Sequence, residues 1–199
     1  RAEVSPQILS TLVTKGIFEN YGKEISRLSN NPLHTESPYP LSPIQQKAYN
    51  EIIDRFSQKE TVLLHGVTSS GKTEIYIHLI DTVLKQGRQV LYLVPEIALT
   101  TQLTTRLQRV FGNKLSIYHS KFTDNERVEI WNDLLHDKGA QIILGVRSSI
   151  FLPFRDLGLV IVDEEHEGSY KQQEPSPRYH ARNAAIVLAS MHGAKTLLG

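Results

Sequence analysis

One eight-residue segment constrains the fold of this chain more than any other. Residues 66–73 read GVTSSGKT and match the pattern G-x-x-x-x-G-K-[ST]. An apolar, β-rich run ends at His65, and a helical pattern begins within the segment's last residues. Such a loop lets backbone N–H groups approach phosphate oxygens closely, and the helix N-terminus adds a partial positive charge. The segment therefore predicts an α/β fold with a phosphate-binding loop.

The residues of this loop have predicted roles in holding ATP and Mg²⁺. Lys72 is expected to reach the β- and γ-phosphates, and the Thr73 hydroxyl is expected to bind Mg²⁺. The alternative is a glycine turn with an incidental lysine. The strand before the loop and the helix after it favour nucleotide binding. The predicted nucleotide-binding residues in this segment are Gly66, Ser69, Ser70, Gly71, Lys72 and Thr73.

A second constellation follows a later apolar run. Leu159–Val162 leads directly into the letters DEEH at residues 163–166. Ligands of open α/β sheets bind at the carboxyl ends of the strands. Asp163 is therefore predicted to complete the Mg²⁺ shell, and Glu164 to orient or deprotonate an attacking water, with Lys72 as the third catalytic residue. The alternative is a solvated acidic loop.

Apolar runs alternate with helical patterns along most of the chain. This alternation predicts a parallel sheet flanked by helices. One helix is marked by a capping box at Thr123 and Glu126. The predicted strands are Thr61–His65, Gln89–Val94, Leu115–Tyr118, Gln141–Leu144, Leu159–Val162 and Thr196–Leu198.

The first 40 residues have a different character. A helix is predicted at Pro6–Lys15, and residues 17–28 have the pattern of a short β-hairpin. Residues 1–28 are therefore interpreted as the end of a winged-helix domain. Residues 29–40 are rich in Asn, Ser and Pro and are predicted to be a linker. Residues 41–199 then form the α/β lobe.

Composition excludes several classes of protein. The chain of 199 residues has no cysteine, so it can form no disulfide and no thiolate zinc site. Its formal net charge of +1 means that any DNA contact must come from a local surface. No apolar run approaches the roughly 20 residues of a membrane-spanning helix, so no membrane partner is expected. Because the chain begins with Arg1 rather than Met, it is expected to be an internal fragment of a longer protein.

The two motifs resemble those of superfamily 2 helicases, and further stretches are similar to the PriA-type replication-restart helicases of that superfamily. Leu41–Gln45 resembles the family's adenine-reading Q motif, with Gln45 as the expected base contact. Ser42 and Gln45 also fit a capping box, which is the alternative. Residues 93–100 are similar to motif Ia and residues 145–149 to motif Ib, which the family uses to line its DNA track.

Residues 167–183, EGSYKQQEPSPRYHARN, resemble the aromatic-rich loop that couples DNA binding to ATP hydrolysis in this family. Tyr170 and Tyr179 are predicted stacking surfaces among basic side chains, which suits single-stranded or forked DNA. The alternative is a polar surface loop with locally packed tyrosines. The predicted DNA-coupling residues are Pro95, Glu96, Arg147, His166, Tyr170, Lys171, Arg178, Tyr179 and His180.

The resemblance implies a RecA-like lobe 1, truncated at motif III, of a bacterial 3′→5′ DNA helicase. It implies ATP and Mg²⁺ as cofactors, a cytoplasmic, nucleoid-associated location, and primosome and single-strand-binding proteins as partners. Zinc and the arginine finger are expected in a second lobe, so this segment should bind nucleotide and DNA without unwinding. Ser69 stands where the family usually has Gly. Other readings are a non-catalytic nucleotide-binding module, a small-molecule kinase and a restriction-enzyme translocase.

Overall fold

A parallel β-sheet with helices on both faces forms the body of this computed structural model, which describes residues 6–17, 35–66, 70–119, 122–136 and 139–199. Short 3₁₀ turns follow β2, α4 and β4 and lie within the 167–183 loop. The strands are β1 (Thr61–Leu63), β2 (Gln89–Leu93), β3 (Leu115–Tyr118), β4 (Ile142–Gly145), β5 (Leu157–Val162) and β6 (Lys195–Leu198). The helices are α1 (Pro6–Thr14), α2 (Pro43–Phe56), α3 (Lys72–Lys85), α4 (Thr101–Phe111), α5 (Asp124–Leu135) and α6 (Ala181–Met191).

The strand order is β1-β6-β5-β2-β4-β3, and every pairing is parallel. All six predicted strands are present, with ends that differ by up to two residues from the prediction. Because parallel strands end at the same edge, the segments after β1, β2, β4 and β5 meet there. The end of the phosphate loop, the acidic cluster at residues 163–166 and the segments at residues 93–100 and 145–149 therefore lie at one edge of the sheet.

The sheet is covered on both faces, so its central strands consist mainly of apolar residues. β2, β4 and β5 are fully buried. Side chains of β2 alternate between the two cores: Tyr92 faces α2, α3 and α4, whereas Leu91 and Leu93 face α5 and α6. These two cores fix the positions of the helices that flank the functional edge.

The N-terminal predictions are only partly covered by the described residues. The helix predicted at Pro6–Lys15 is confirmed as α1. Residues 18–28 of the predicted hairpin and residues 29–34, the first half of the predicted linker, lie outside the described part. The described end of the linker contacts the lobe: Glu36 N donates to Arg109 O at 2.9 Å, and Tyr39 O lies 2.9 Å from His78 Nε2. None of the described helices has the length and apolar character needed to cross a bilayer.

Candidate nucleotide site and nucleic-acid groove

Lys72 and Thr73 are the first two residues of α3, directly after a left-handed glycine. Gly71 has φ +82°, a backbone conformation that favours glycine, and a Cβ atom there would also push against the end of the Gln45 side chain. Lys72 Nζ donates to Gly66 O at 3.3 Å and lies 3.9 Å from Glu164 Oε1. The turn from strand to helix therefore places the lysine opposite the acidic cluster.

Asp163, the first residue after β5, is a mostly buried carboxylate held by hydroxyl groups. Its two oxygens accept hydrogen bonds from Tyr76 at 3.2 Å and from Tyr92 at 3.1 Å. Burial raises the pKa of Asp163, and the hydrogen bond from Tyr92 and the charge of Lys72 oppose that rise. A dehydrated carboxylate of this kind gains most from a bound cation, so Asp163 fits a Mg²⁺ ligand.

Lys72, Thr73 and Asp163 line one cavity of about 260 Å³ at the edge of the sheet, which is called the nucleotide cavity below. In the described part of the chain, no cluster of three or more His, Cys, Asp or Glu side chains is arranged to hold a metal alone. Mg²⁺ would therefore share its ligands between Thr73, Asp163 and phosphate oxygens. The lining residues are Gly71, Lys72, Thr73, Ala98, Thr100, Gln102, Leu103, Arg106, Asp163 and Glu164.

Three described residues that are predicted to bind nucleotide, Gln45, Gly66 and Ser70, do not line this cavity. Gly66 contributes its carbonyl to Lys72. Ser70 is exposed, and Ser69 falls in residues 67–69, outside the described part. A loop that wraps a phosphate would bring these groups to the ligand through their backbone. Their roles stay predictions.

Gln45 forms the capping box that was the alternative to an adenine contact. Ser42 N donates to Gln45 Oε1 at 2.9 Å, and Gln45 N donates to Ser42 Oγ at 3.3 Å. Gln45 Nε2 also donates to Gly71 O at 3.1 Å. The capping box is thus confirmed, and the same side chain ties α2 to the phosphate loop. The adenine contact stays a prediction.

A second cavity, about 240 Å³, lies at the same edge and is called the groove below. Segments after β2 and β4 and the 167–183 loop line it together. Arg147 Nη1 donates to the carbonyl oxygens of Ser169 and Lys171, both at 3.4 Å, and so ties two of these segments. The lining residues are Val94, Pro95, Glu96, Arg127, Val146, Arg147, Ser148, Ser169, Tyr170, Gln172 and Tyr179.

Tyr170 is not a stacking surface, contrary to the sequence-based expectation. Only 1% of it is exposed, because its ring packs in the core below the loop. Its hydroxyl is directed at Asp163 O, 2.6 Å away, with Leu93 O at 3.2 Å. A buried tyrosine hydroxyl needs such acceptors. Tyr179 is instead half-buried against the exposed Phe151, with ring centroids 5.0 Å apart, and gives the groove its aromatic edge.

Four further predicted DNA-coupling residues, Lys171, Arg178, His180 and His166, do not line the groove. Lys171 and Arg178 are exposed, and an antiparallel bridge pairs Lys171 with His180. Burial and the nearby Arg182 and Lys171 lower the pKa of His180. His166 is exposed and lies 3.8 Å from Glu164 Oε2, so it adjoins the nucleotide cavity rather than the groove.

Sequence reasoning missed Arg106, which lines the nucleotide cavity, and three side chains that contact its lining residues. Tyr76 and Tyr92 lie inside apolar segments. The one signal in the sequence is that a buried tyrosine hydroxyl needs a hydrogen-bond partner. Arg106 lines the cavity and forms an ion pair with Glu74 in the first turn of α3. No local pattern joins these two residues, because their contact depends on how α4 packs beside α3.

Comparison with known proteins places these features in a family. The DEAD/DEAH box helicase family matches residues 42–195. The replication restart protein PriA of Bacillus subtilis is 39% identical over 203 residues, covering 100% of this chain and 25% of that protein. PriA of Haemophilus influenzae is 41% identical over 204 residues, covering 99% of this chain and 28% of that protein. The predicted resemblance to PriA is confirmed, and the chain spans about a quarter of the length of these curated relatives.

A solved structure supports the fold assignment. RecG bound to a three-way DNA junction superposes with a TM-score of 0.59 at 20% identity, covering 98% of this chain and 23% of RecG. This similarity confirms the predicted RecA-like α/β fold. The matched family spans both cavities and the sheet edge between them. The chain belongs to the DEAD/DEAH box helicase family.

Proposed function

We propose that this chain is the ATP-binding lobe of an ATP-dependent DNA helicase that moves 3′→5′ and unwinds stalled or branched replication forks for primosome assembly and restart. One observation carries the proposal: the nucleotide cavity and the groove lie side by side, and the Tyr170 hydroxyl joins the groove's loop to Asp163. Membership of the helicase family and similarity to PriA support it.

At the nucleotide cavity, each residue has a separate task. Lys72 and the N-terminus of α3 bind the phosphates, and Thr73 and Asp163 hold Mg²⁺. Bound ATP supplies the phosphoanhydride bond whose hydrolysis drives movement. Glu164 accepts the proton of the attacking water. Its backbone has φ 47°, and its N–H donates to Asp163 Oδ1 at 3.1 Å, which fixes the side chain beside Lys72.

At the groove, exposed cations and one aromatic edge suit single-stranded or forked DNA. Lys171 and Arg178 contact the phosphate backbone, and Tyr179 offers a ring edge beside them for base stacking. Arg147 holds the carbonyls on either side of Tyr170. A shift of the loop on DNA binding therefore reaches Asp163 through the Tyr170 hydroxyl, which couples DNA to ATP hydrolysis.

The full-length motor has requirements beyond this chain. The resemblance implies a second lobe that carries the arginine finger and zinc-binding cysteines. Without the finger, phosphoryl transfer falls by about 10³–10⁵. This chain alone is thus expected to bind nucleotide and DNA with very low turnover and no unwinding. The proposed partners are primosome and single-strand-binding proteins in the bacterial cytoplasm, at the nucleoid.

Two substitutions in the full-length motor test the proposal. Glu164→Gln should retain ATP binding and lose DNA-stimulated hydrolysis by at least about a hundredfold. Lys72→Ala should lose ATP binding itself. Nucleotide titrations and steady-state hydrolysis, with and without a fork that exposes a 3′ end, separate the two defects. Full hydrolysis by Glu164→Gln, or a wild-type protein whose hydrolysis ignores DNA, would contradict a motor.

A further inference from the structure

A buried carboxylate lies one residue beyond the predicted Mg²⁺ ligand Thr73. The side chain of Glu74, in the first turn of α3, is 10% exposed and forms an ion pair with Arg106 of α4. Apart from that ion pair, neither of its oxygens has a hydrogen-bond partner in the described part of the chain. A carboxylate in such surroundings is costly unless a cation accompanies it. Glu74 and Arg106 therefore act as a unit.

Arg106 is also part of the nucleotide cavity. It lines the cavity together with Lys72, Asp163 and Glu164, and the two cations among the described lining residues are Lys72 and Arg106. The Arg106 side chain remains 40% exposed despite the ion pair. Its Nε–H is buried and has no hydrogen-bond partner in the described residues, so the exposed part of the guanidinium, which lines the cavity, is the part that an anion can reach. An anion in the cavity would find this guanidinium available.

We propose that Arg106 binds the terminal phosphate of a nucleoside triphosphate and that Glu74 is the positioning residue that holds it there. The inference rests on the proposed function, because it adds a phosphate ligand to the same nucleotide site. Asp163 and Glu164, which are assigned to Mg²⁺ and to the attacking water, border the same cavity, so this is where a terminal phosphate belongs. A guanidinium matches phosphate oxygens with paired donors.

A purely structural role for the pair makes different predictions. If Arg106 only fastened α4 to α3, its loss would lower stability and weaken triphosphate and diphosphate binding equally. If Glu74 acted only as a negative charge near the phosphates, Glu74→Gln would strengthen triphosphate binding by removing repulsion. Under the proposal, Glu74→Gln weakens triphosphate binding, because Arg106 loses the ion pair that positions it.

The test uses this chain, Mg²⁺ and fluorescent analogues of a non-hydrolysable ATP and of ADP. Arg106→Gln should weaken triphosphate binding at least about tenfold and diphosphate binding far less. Glu74→Gln should shift the ratio of triphosphate affinity to diphosphate affinity in the same direction. The double variant should show the same ratio as Arg106→Gln. Arg109→Gln is the matched control: it lies one turn further along α4, pairs with Glu36, and does not line the nucleotide cavity.

Thermal melting of each variant checks the fold, and Arg106→Lys keeps a positive charge for Glu74 if the glutamine variant unfolds. The lysine variant should retain only part of the preference for triphosphate. An unchanged ratio in a folded Arg106 variant, or tighter triphosphate binding in Glu74→Gln, would overturn the inference. A wild-type chain that binds neither nucleotide would instead count against the proposed function.

Discussion

The hydroxyl of Tyr170 donates a 2.6 Å hydrogen bond to the backbone carbonyl of Asp163. This bond joins a loop that borders the groove to the residue whose side chain borders the nucleotide cavity. Arg147 holds the carbonyls of Ser169 and Lys171, which flank the tyrosine. Two cavities at one sheet edge are thus connected by a short chain of hydrogen bonds, and the bond from Tyr170 can be removed without removing its ring.

Tyr170→Phe removes that hydroxyl and keeps the buried ring. Because two carbonyl oxygens lose a buried donor, stability should fall by about 1–3 kcal/mol in urea unfolding. In the full-length motor, DNA should stimulate ATP hydrolysis less, while nucleotide affinity without DNA stays within about twofold of wild type.

Tyr179→Phe is the stability control for this experiment. The Tyr179 hydroxyl has no hydrogen bond in the described part of the chain, so its removal should leave the unfolding midpoint unchanged. Normal DNA stimulation in the Tyr170→Phe motor would show that the Tyr170 hydroxyl does not couple the two cavities.

Asp163→Asn should make the metal-free chain more stable at neutral pH. Burial raises the pKa of Asp163 above the ordinary 3.8, so the folded chain holds this proton more tightly than the unfolded chain. Its contribution to stability is present below the ordinary pKa and is lost as pH rises through the folded-state pKa. Asparagine removes this pH dependence, while Mg²⁺-dependent nucleotide binding should fall at least about tenfold.

Thermal melts across acidic and neutral pH, with a chelator present, measure this effect. Asp156→Asn is the control, because Asp156 is a 65% exposed partner of Arg88 and an exposed pair contributes little. A lower melting temperature for Asp163→Asn than for Asp156→Asn at pH 7 would contradict the predicted sign.

Gln45→Ala tests whether the capping glutamine also reads adenine. We expect the variant to lose its preference for ATP over other nucleoside triphosphates, which competition titrations measure. Ser42→Ala removes the cap without changing the Gln45 amide, and should cost about 1 kcal/mol of stability with base preference intact. Equal base preference in both variants would leave Gln45 with a capping role alone.

Arg147 lines the groove, where we expect its charge to lie near one DNA phosphate in addition to its contacts with the loop. Arg147→Ala should therefore weaken binding of single-stranded DNA and lower the salt dependence of that binding by about one charge. Arg147→Lys keeps the charge but lacks the planar guanidinium. Compared with Arg147→Ala, it should therefore recover more of the salt dependence of DNA binding than of the stimulation of ATP hydrolysis by DNA. Fluorescence anisotropy at several salt concentrations provides the measurement.

Arg155→Ala is the matched control for the groove. Arg155 is exposed and precedes β5, so it lies at the opposite edge of the sheet. Its loss should leave DNA binding nearly unchanged. An effect as large as that of Arg147→Ala would mean that the DNA contact is not confined to the groove.

Local patterns predicted the elements of this fold well. Continuous apolar runs identified the buried strands, and the capping boxes at Ser42 and Thr123 are both present where α2 and α5 begin. The strand order could not be predicted, because a short apolar run carries no information about its neighbour. That order is what places Lys72 beside Glu164.

The candidate site was less predictable where polar groups meet across the core. The Tyr76 and Tyr92 hydroxyls reach Asp163 across 87 and 71 residues of sequence, so no spacing rule detects them. Tyr170 was mistaken for a surface ring because its neighbours in sequence are polar and charged. The Tyr170 hydroxyl can be buried because the backbone carbonyls of Asp163 and Leu93 accept its hydrogen bonds, and Leu93 is distant from it in sequence.

Glu164 has a left-handed backbone, the one such non-glycine residue in the described part of the chain. That conformation costs about 1–2 kcal/mol, and glycine or asparagine would adopt it more readily. Folding alone therefore gives no reason for a glutamate at the end of β5. Under the proposed catalytic role of Glu164, this strained backbone lowers stability at a position that the chemistry requires, so engineering for heat resistance should leave it unchanged and begin elsewhere.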